Sequence, residues 1–266
     1  MLLEKLLVNY YMKKETKNKI IQGDCIEVMK DISDKSVDMI LCDLPYGTTA
    51  CKWDTIIPFE PLWEQYKRII KDNGAIVLTA SQPFTSALVM SNIKMFKYEW
   101  IWKKTRYTGN LNAKRIPLKA HENILVFAKG KCPYSPIKTK APKHSIDTRK
   151  TINNSNVKDG GSYNGSKGFI NIRKKDDGTR YPITIQEFKN PNNNSLHPTQ
   201  KPVALFEYLI RTYTNEGDLV LDNCAGSGTT GVACKNLNRN YILIEKEEKY
   251  VKIARARIMA IQVPLI

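Results

Sequence analysis

The chain has 266 residues, with 42 Lys or Arg against 26 Asp or Glu, a formal charge of +16 and a hydrophobic content of 42%. That length holds one α/β core with an embedded accessory region, and so basic a balance favours a polyanionic partner, because neutralising phosphates releases condensed counterions. The six cysteines, at 25, 42, 51, 132, 224 and 234, never stand at CxxC spacing. This argues against a metal site and for reduced thiols in an intracellular, cytoplasmic protein. No apolar run reaches membrane-spanning length, and residues 1–19 lack a signal-peptide core, so no membrane contact is expected.

In chain order, a short strand is expected at 19–22, ending at Gly23-Asp24. An apolar strand follows at 37–42 and ends at Asp43-Leu44-Pro45-Tyr46. Residues 61–71 carry Leu62, Trp63, Tyr66, Ile69 and Ile70 at helical spacing, stopped by Asp72-Asn73-Gly74 before a strand at 75–79. Two further strands are expected at 98–102 and 123–128, joined by a polar, basic segment. Near-continuous apolar strands alternating with helices predict a mostly parallel sheet with helices on both faces.

The composition changes over 131–195, where thirteen Lys/Arg face five Asp/Glu among nine Asn. Sustained periodicity is missing, with strand-like pieces only at 169–172 and 181–188. This stretch reads as a small, loop-rich basic module between a catalytic domain's two parts, 1–130 and 196–266. Regular structure then returns. A helix is expected with Pro202 in its first position, then a strand at 219–222, a helix at 231–237, a strand at 241–244 and a helix from 246 to 260.

Two elements carry chemistry. Asp222-Asn223-Cys224-Ala225-Gly226-Ser227-Gly228-Thr229-Thr230-Gly231 contains G-x-G-x-x-G between a strand and a helix. Small residues there let the backbone approach a ligand at the carboxyl edge of a sheet. Glu245, at the end of the next strand, can accept bonds from ribose hydroxyls. NAD-binding enzymes share this pattern, yet they usually begin with it. Here it comes last, which implies a permuted order. Asp43-Leu44-Pro45-Tyr46 opens at the same edge. An amino nitrogen on a base is a poor nucleophile because its lone pair is delocalised into the ring. The Asp43 carboxylate and the Leu44 carbonyl can accept its two N–H groups, Pro45 stiffens the turn, and Tyr46 can stack on the base. Such a base must first leave the duplex. No Pro-Cys pair is present, so attack through a cysteine at a cytosine ring carbon is unsupported.

These residues, with Leu196-His197-Pro198-Thr199-Gln200-Lys201-Pro202, resemble the β group of DNA amino-methyltransferases. The resemblance covers most of the chain outside 131–195. It implies a Rossmann-like methyltransferase fold, S-adenosylmethionine as cofactor, double-stranded DNA as partner, a homodimer and, from the first-position Asp, adenine N6 as target. It assigns the cofactor to Asp24, Cys25, Asp43, His197, Thr199, Lys201, Asp222, Ala225, Gly226, Ser227, Gly228, Thr229, Thr230, Glu245 and Lys246. Within that set the turn and Lys201 take the methionine end, Glu245 the ribose and Asp24 the adenine amino group. Asp24 also reads as a helix N-cap. Residues 131–195 are then a target-recognition region. A cytosine-N4 enzyme of the same architecture, and a nucleic-acid-binding protein with an inactive core, stay open.

Overall fold

The computed structural model describes residues 17–48, 51, 54–142, 177–191, 196 and 199–261. Its elements are β1 (Lys19–Gln22), α1 (Cys25–Lys30), β2 (Val37–Asp43), α2 (Phe59–Ile69), β3 (Ile70–Ala80), α3 (Phe84–Ser91), β4 (Phe96–Thr108) and β5 (Lys119–Phe127). They continue with β6 (Thr139–Lys140), β7 (Thr179–Arg180), β8 (Ile185–Phe188), α4 (Val203–Tyr213), β9 (Leu219–Asp222), α5 (Thr229–Asn236), β10 (Asn240–Glu245) and α6 (Glu248–Met259).

One sheet runs in the order β1-β10-β9-β2-β3-β5-β4-β8. The strands from β1 to β3 pair in parallel, β5 runs antiparallel to both of its neighbours, and β8 pairs in parallel with β4. The alternation along β2 shows why helices cover both faces. Ile40 and Cys42 point into a layer with Met29 of α1, Leu62 and Tyr66 of α2, and Leu88 of α3. Met39 and Leu41 point into the opposite layer, with Phe206 and Leu209 of α4 and Ala233 of α5. Each fully buried Leu, Ile or Phe contributes about 1.5–3 kcal/mol relative to exposure. The mostly parallel, doubly covered sheet is the expected architecture.

Several boundaries differ from expectation. Helix α2 stops at Ile69, because Ile70 is extended at φ −71°, ψ 137°. β3 therefore starts at Ile70 and not at 75. A Cβ on Gly74 would stand 2.7 Å from the Ile70 side chain and 2.8 Å from the Asp38 carbonyl oxygen. The glycine serves a close approach to Ile70 of β3 and to the Asp38 carbonyl of β2, not a helix stop. Pro202 is extended at ψ 132° and caps α4, whose first helical residue is Val203. Within 181–188 only Ile185–Phe188 is strand, and 169–172 lies outside the described residues. Helix α3 has no counterpart among the sequence expectations.

The chain divides into two units, 1–135 with 183–266, and 136–182. β8 thus belongs to the main unit. Within the smaller unit β6 pairs antiparallel with β7. There the Lys138 ammonium lies 3.1 Å from the Asp177 carboxylate and 4.7 Å from the Tyr181 ring centroid.

Candidate active site

The carboxyl ends of β1, β10, β9, β2, β3 and β4 share one edge of the sheet. Antiparallel β5 brings its first half to that edge. A cleft of about 1090 Å³ opens along it. This exceeds the range for a single small-molecule site, roughly 300–1,000 Å³. Strand order divides the cleft. The residues after β1, β10 and β9 lie on one side of Asp43, and those of β3, β5 and β4 on the other.

On the first side, Glu245 lies half-buried at the end of β10. Its Oε2 accepts from the Gly226 amide at 2.7 Å and its Oε1 from the Glu247 amide at 2.8 Å. Burial raises its pKa, and these backbone donors partly offset that. The Glu245 carboxylate lines the cleft. Asp24 caps α1, its Oδ1 accepting from the Ile26 amide at 3.0 Å, and also lines the cleft. Both readings of Asp24 thus meet in one side chain. Cys25, Thr199, Asp222, Ala225, Gly226, Ser227, Thr229 and Lys246 line the same cleft.

Two turn residues face elsewhere. Gly228 has φ +78°, and a Cβ on it would stand 2.7 Å from the Ala254 Cβ of α6. It serves the packing of α5 on α6 and does not line the cleft. Thr230 is fully buried and donates to Asp222 Oδ2, while the Cys224 amide donates to Asp222 Oδ1 at 3.1 Å. Burial pushes the Asp222 carboxyl up to about 7, against these donors. His197 lies outside the described residues.

At the centre stand Asp43, Leu44, Pro45 and Tyr46, all lining the cleft. The Tyr46 hydroxyl donates to Asp43 Oδ1 at 2.7 Å, and the Thr79 hydroxyl of β3 donates to the same oxygen. One face of the Tyr46 ring stacks on Phe84, centroids 5.3 Å apart at 27°. Burial, then the Asp43 charge, push its pKa well up, so it stays a donor. The loop beyond is closed by Asp54, whose two oxygens accept from the Gly47 and Thr48 amides, both at 2.9 Å.

The third contact of Asp43 comes from Lys201, whose Nζ donates to Oδ2 at 2.6 Å. Lys201 also lies 3.4 Å from Glu122 Oε2, and Glu122 Oε1 lies 2.6 Å from the Lys104 ammonium. Lys104 and Lys201 are buried, at 7% and 6% exposure. Burial pulls the Lys201 pKa down, but the Asp43 and Glu122 carboxylates outweigh it and the net shift is upward. Burial raises Glu122 in turn, and the Lys201 and Lys104 charges reverse this to a net lowering. The result is a buried chain of alternating charge, Asp43–Lys201–Glu122–Lys104. Sequence reading found its first two members. It did not place Lys104, Glu122 or Asp54 in the site; the first two are charges in or beside apolar strand runs, and Asp54 lies in the loop between β2 and α2.

A mostly parallel sheet with a glycine-rich turn facing a carboxylate, beside Asp-Leu-Pro-Tyr on the central strand, is a Rossmann-like methyltransferase fold. The family profile described as DNA methylase, which covers adenine-N6 and cytosine-N4 types, matches residues 37–256, and the chain belongs to that family. The Type II methyltransferase M.HpaI of Haemophilus parainfluenzae is 29% identical over 257 residues, covering 90% of this chain and 74% of the relative. M.HinfI of Haemophilus influenzae is 28% identical over 275 residues, covering 92% and 69%. Among solved structures, the M1.HpyAVI–SAM complex is 27% identical with a TM-score of 0.59, covering 90% of this chain and 98% of that one. The cytosine-N4-specific PvuII DNA methyltransferase, 16% identical with a TM-score of 0.62 over 94% of this chain and 88% of its own, shares the fold.

Proposed function

We propose that this DNA methyltransferase moves a methyl group from S-adenosylmethionine to N6 of an adenine flipped out of double-stranded DNA. The observation that carries the reading is the placement of the Asp43 carboxylate and the Leu44 backbone between two halves of one cleft. One half is lined by Asp24, Glu245 and the glycine turn, and the other by Lys104, Arg106 and Lys119. Glu245 would take the ribose hydroxyls, Asp24 the cofactor's adenine amino group, and the backbone of Ala225, Gly226 and Ser227 its methionine end. S-adenosylmethionine supplies an electrophilic methyl group on its sulfonium. Asp43 Oδ1 is filled by Tyr46 and Thr79, so Oδ2, which Lys201 shares, is the oxygen left to accept an N–H of the target base. The Leu44 carbonyl accepts the other. Two acceptors draw the amino nitrogen toward a tetrahedral shape and aim its lone pair. The rate gain comes chiefly from this positioning. Lys201, expected at the cofactor's carboxylate, is better placed to orient Asp43.

The same proposal makes 131–195 the target-recognition region, where Asn, Arg and Lys side chains would read base edges. It places the protein in the cytoplasm of a prokaryotic or phage-infected cell and includes a homodimer, which light scattering tests; a monomeric mass removes that part. The main test is modified-base sequencing of DNA from cells expressing the chain, with Asp43→Ala as control. N6-methyladenine at one recurring short sequence, absent in the control, is the expected result. N4-methylcytosine overturns the base, and no new mark overturns the assignment.

A further inference from the structure

From Lys103 to Lys119 inclusive stand six Lys or Arg and no acid. The structure folds this stretch into a hairpin at the rim of the cleft. β4 continues to Thr108, which pairs with Lys119 at the start of β5. Gly109 turns the chain at φ +96° into a 3₁₀ turn, Asn110–Asn112. The tip is fastened by its own backbone. The Asn112 amide donates to the Gly109 carbonyl at 2.9 Å, and the Arg115 and Ile116 amides donate to the Asn112 carbonyl at 2.8 and 3.0 Å. Its base is tied to the segment after β8, where the Arg106 amide donates to Asn190 Oδ1 at 2.9 Å. Arg106, Thr108 and Lys119 line the cleft mouth.

On this hairpin Leu111 is 103% exposed, and Tyr107, Ile116 and Leu118 are exposed as well. Scattered surface apolar residues need no explanation. Four within twelve positions, interleaved with Arg106, Lys114, Arg115 and Lys119 beside a site for an unstacked base, do. Apolar side chains of this size enter base steps and unstack them. Flanking cations fix the register on phosphates without reading sequence.

We propose that Leu111 is a wedge that enters the base stack and occupies the gap left by the flipped base, while the surrounding Lys and Arg hold the two phosphate backbones. The inference rests on the DNA-methyltransferase reading above, and names the surface by which that site obtains its base. Filling the gap with an apolar side chain covers the two base faces exposed by flipping. The wedge therefore lowers the free energy of the extruded state and leaves the cofactor half of the cleft alone.

The test uses the full chain and two synthetic duplexes carrying the sequence found by modified-base sequencing. One is fully paired, and the other places an abasic site opposite the target adenine. Leu111→Ala is expected to lose at least tenfold in kcat/KM on the paired duplex and less than threefold on the second, whose base is already unpaired. Cofactor affinity by calorimetry stays within twofold of wild type. Leu111→Phe, which keeps an apolar body, retains most activity on both. With 2-aminopurine at the target position, fluorescence rises on binding wild type and rises less with Leu111→Ala. Equal loss on both duplexes, or none on the paired one, overturns the wedge and leaves the methyltransferase reading standing. A wild-type chain that methylates neither duplex overturns that reading, and the wedge with it.

Discussion

Lys201 places its ammonium 2.6 Å from the Asp43 carboxylate across 158 positions of sequence, joining the segment before α4 to the end of β2. Neither side chain is placed by its own strand or helix alone. Lys201 is held between Asp43 and Glu122, so the carboxylate proposed to meet the target base is oriented by a charge that is itself pinned.

Replacing Asp43 by Ala removes the acceptor and leaves Lys201 paired with Glu122. Methylation is expected to fall by at least about 100-fold, the scale for losing a transition-state hydrogen-bond partner. Binding of S-adenosylmethionine, read by calorimetry, is expected to persist. Equal loss of both measurements would remove the assigned role.

Glu122 separates two buried ammonium groups. Glu122→Gln leaves Lys104 without its carboxylate and Lys201 with Asp43 alone. Breaking a buried pair in this way costs about 3 kcal/mol. The urea midpoint is expected to drop accordingly, and kcat to drop with it as Lys201 is drawn harder onto Asp43. An unchanged midpoint would show the cluster to be solvated.

Asp222 sets a pH dependence. Burial raises its carboxyl to about 7 in the folded chain, from an ordinary 3.8. Between about pH 4 and pH 7 the folded state therefore holds a proton that the unfolded state has released, and stability from this group falls as pH rises through that window. Asp222→Asn keeps the shape and removes the titration. Wild type is expected to lose more stability than the variant between about pH 5 and pH 8 in urea melts. Parallel losses in the two proteins would place the titration elsewhere.

Gly228→Ala introduces a Cβ that meets Ala254 at 2.7 Å on a residue with φ +78°. Backbone strain and overpacking together cost about 1–3 kcal/mol. A lowered melting temperature is expected, with the weaker cofactor affinity recovered on cooling. A loss of affinity without loss of stability would put Gly228 on the cleft after all.

The fold was legible because β2 and β9 are buried on both sides, so Met39–Cys42 and Leu219–Leu221 form apolar runs ending in Asp43 and Asp222. The glycine turn and the Asp-Leu-Pro-Tyr element announce themselves by their position after such runs. Glu122 and Lys104 do not. They lie within strands, on β5 and β4, and become a pair only because β5 is antiparallel and sets Glu122 in register with Trp102. Helix α3 was missed for a related reason. Its sequence, FTSALVMS, is largely apolar without a polar stripe, so no amphipathic period marks it. Pairings of this kind are tertiary facts, and local patterns carry no trace of them.

The strand order also governs how the protein comes into being. β9 and β10 lie between β1 and β2, so the sheet that β1 begins stays divided until the chain has been made as far as Glu245. At the usual pace of synthesis, the 218 positions from the end of β1 at Gln22 to the start of β10 at Asn240 take roughly 10–45 s. Until the turn after β9 has been made, Asp24 and Asp43 have no glycine turn beside them. A chain interrupted before Glu245 therefore holds no assembled cleft, and competence to modify DNA waits on the completion of β10.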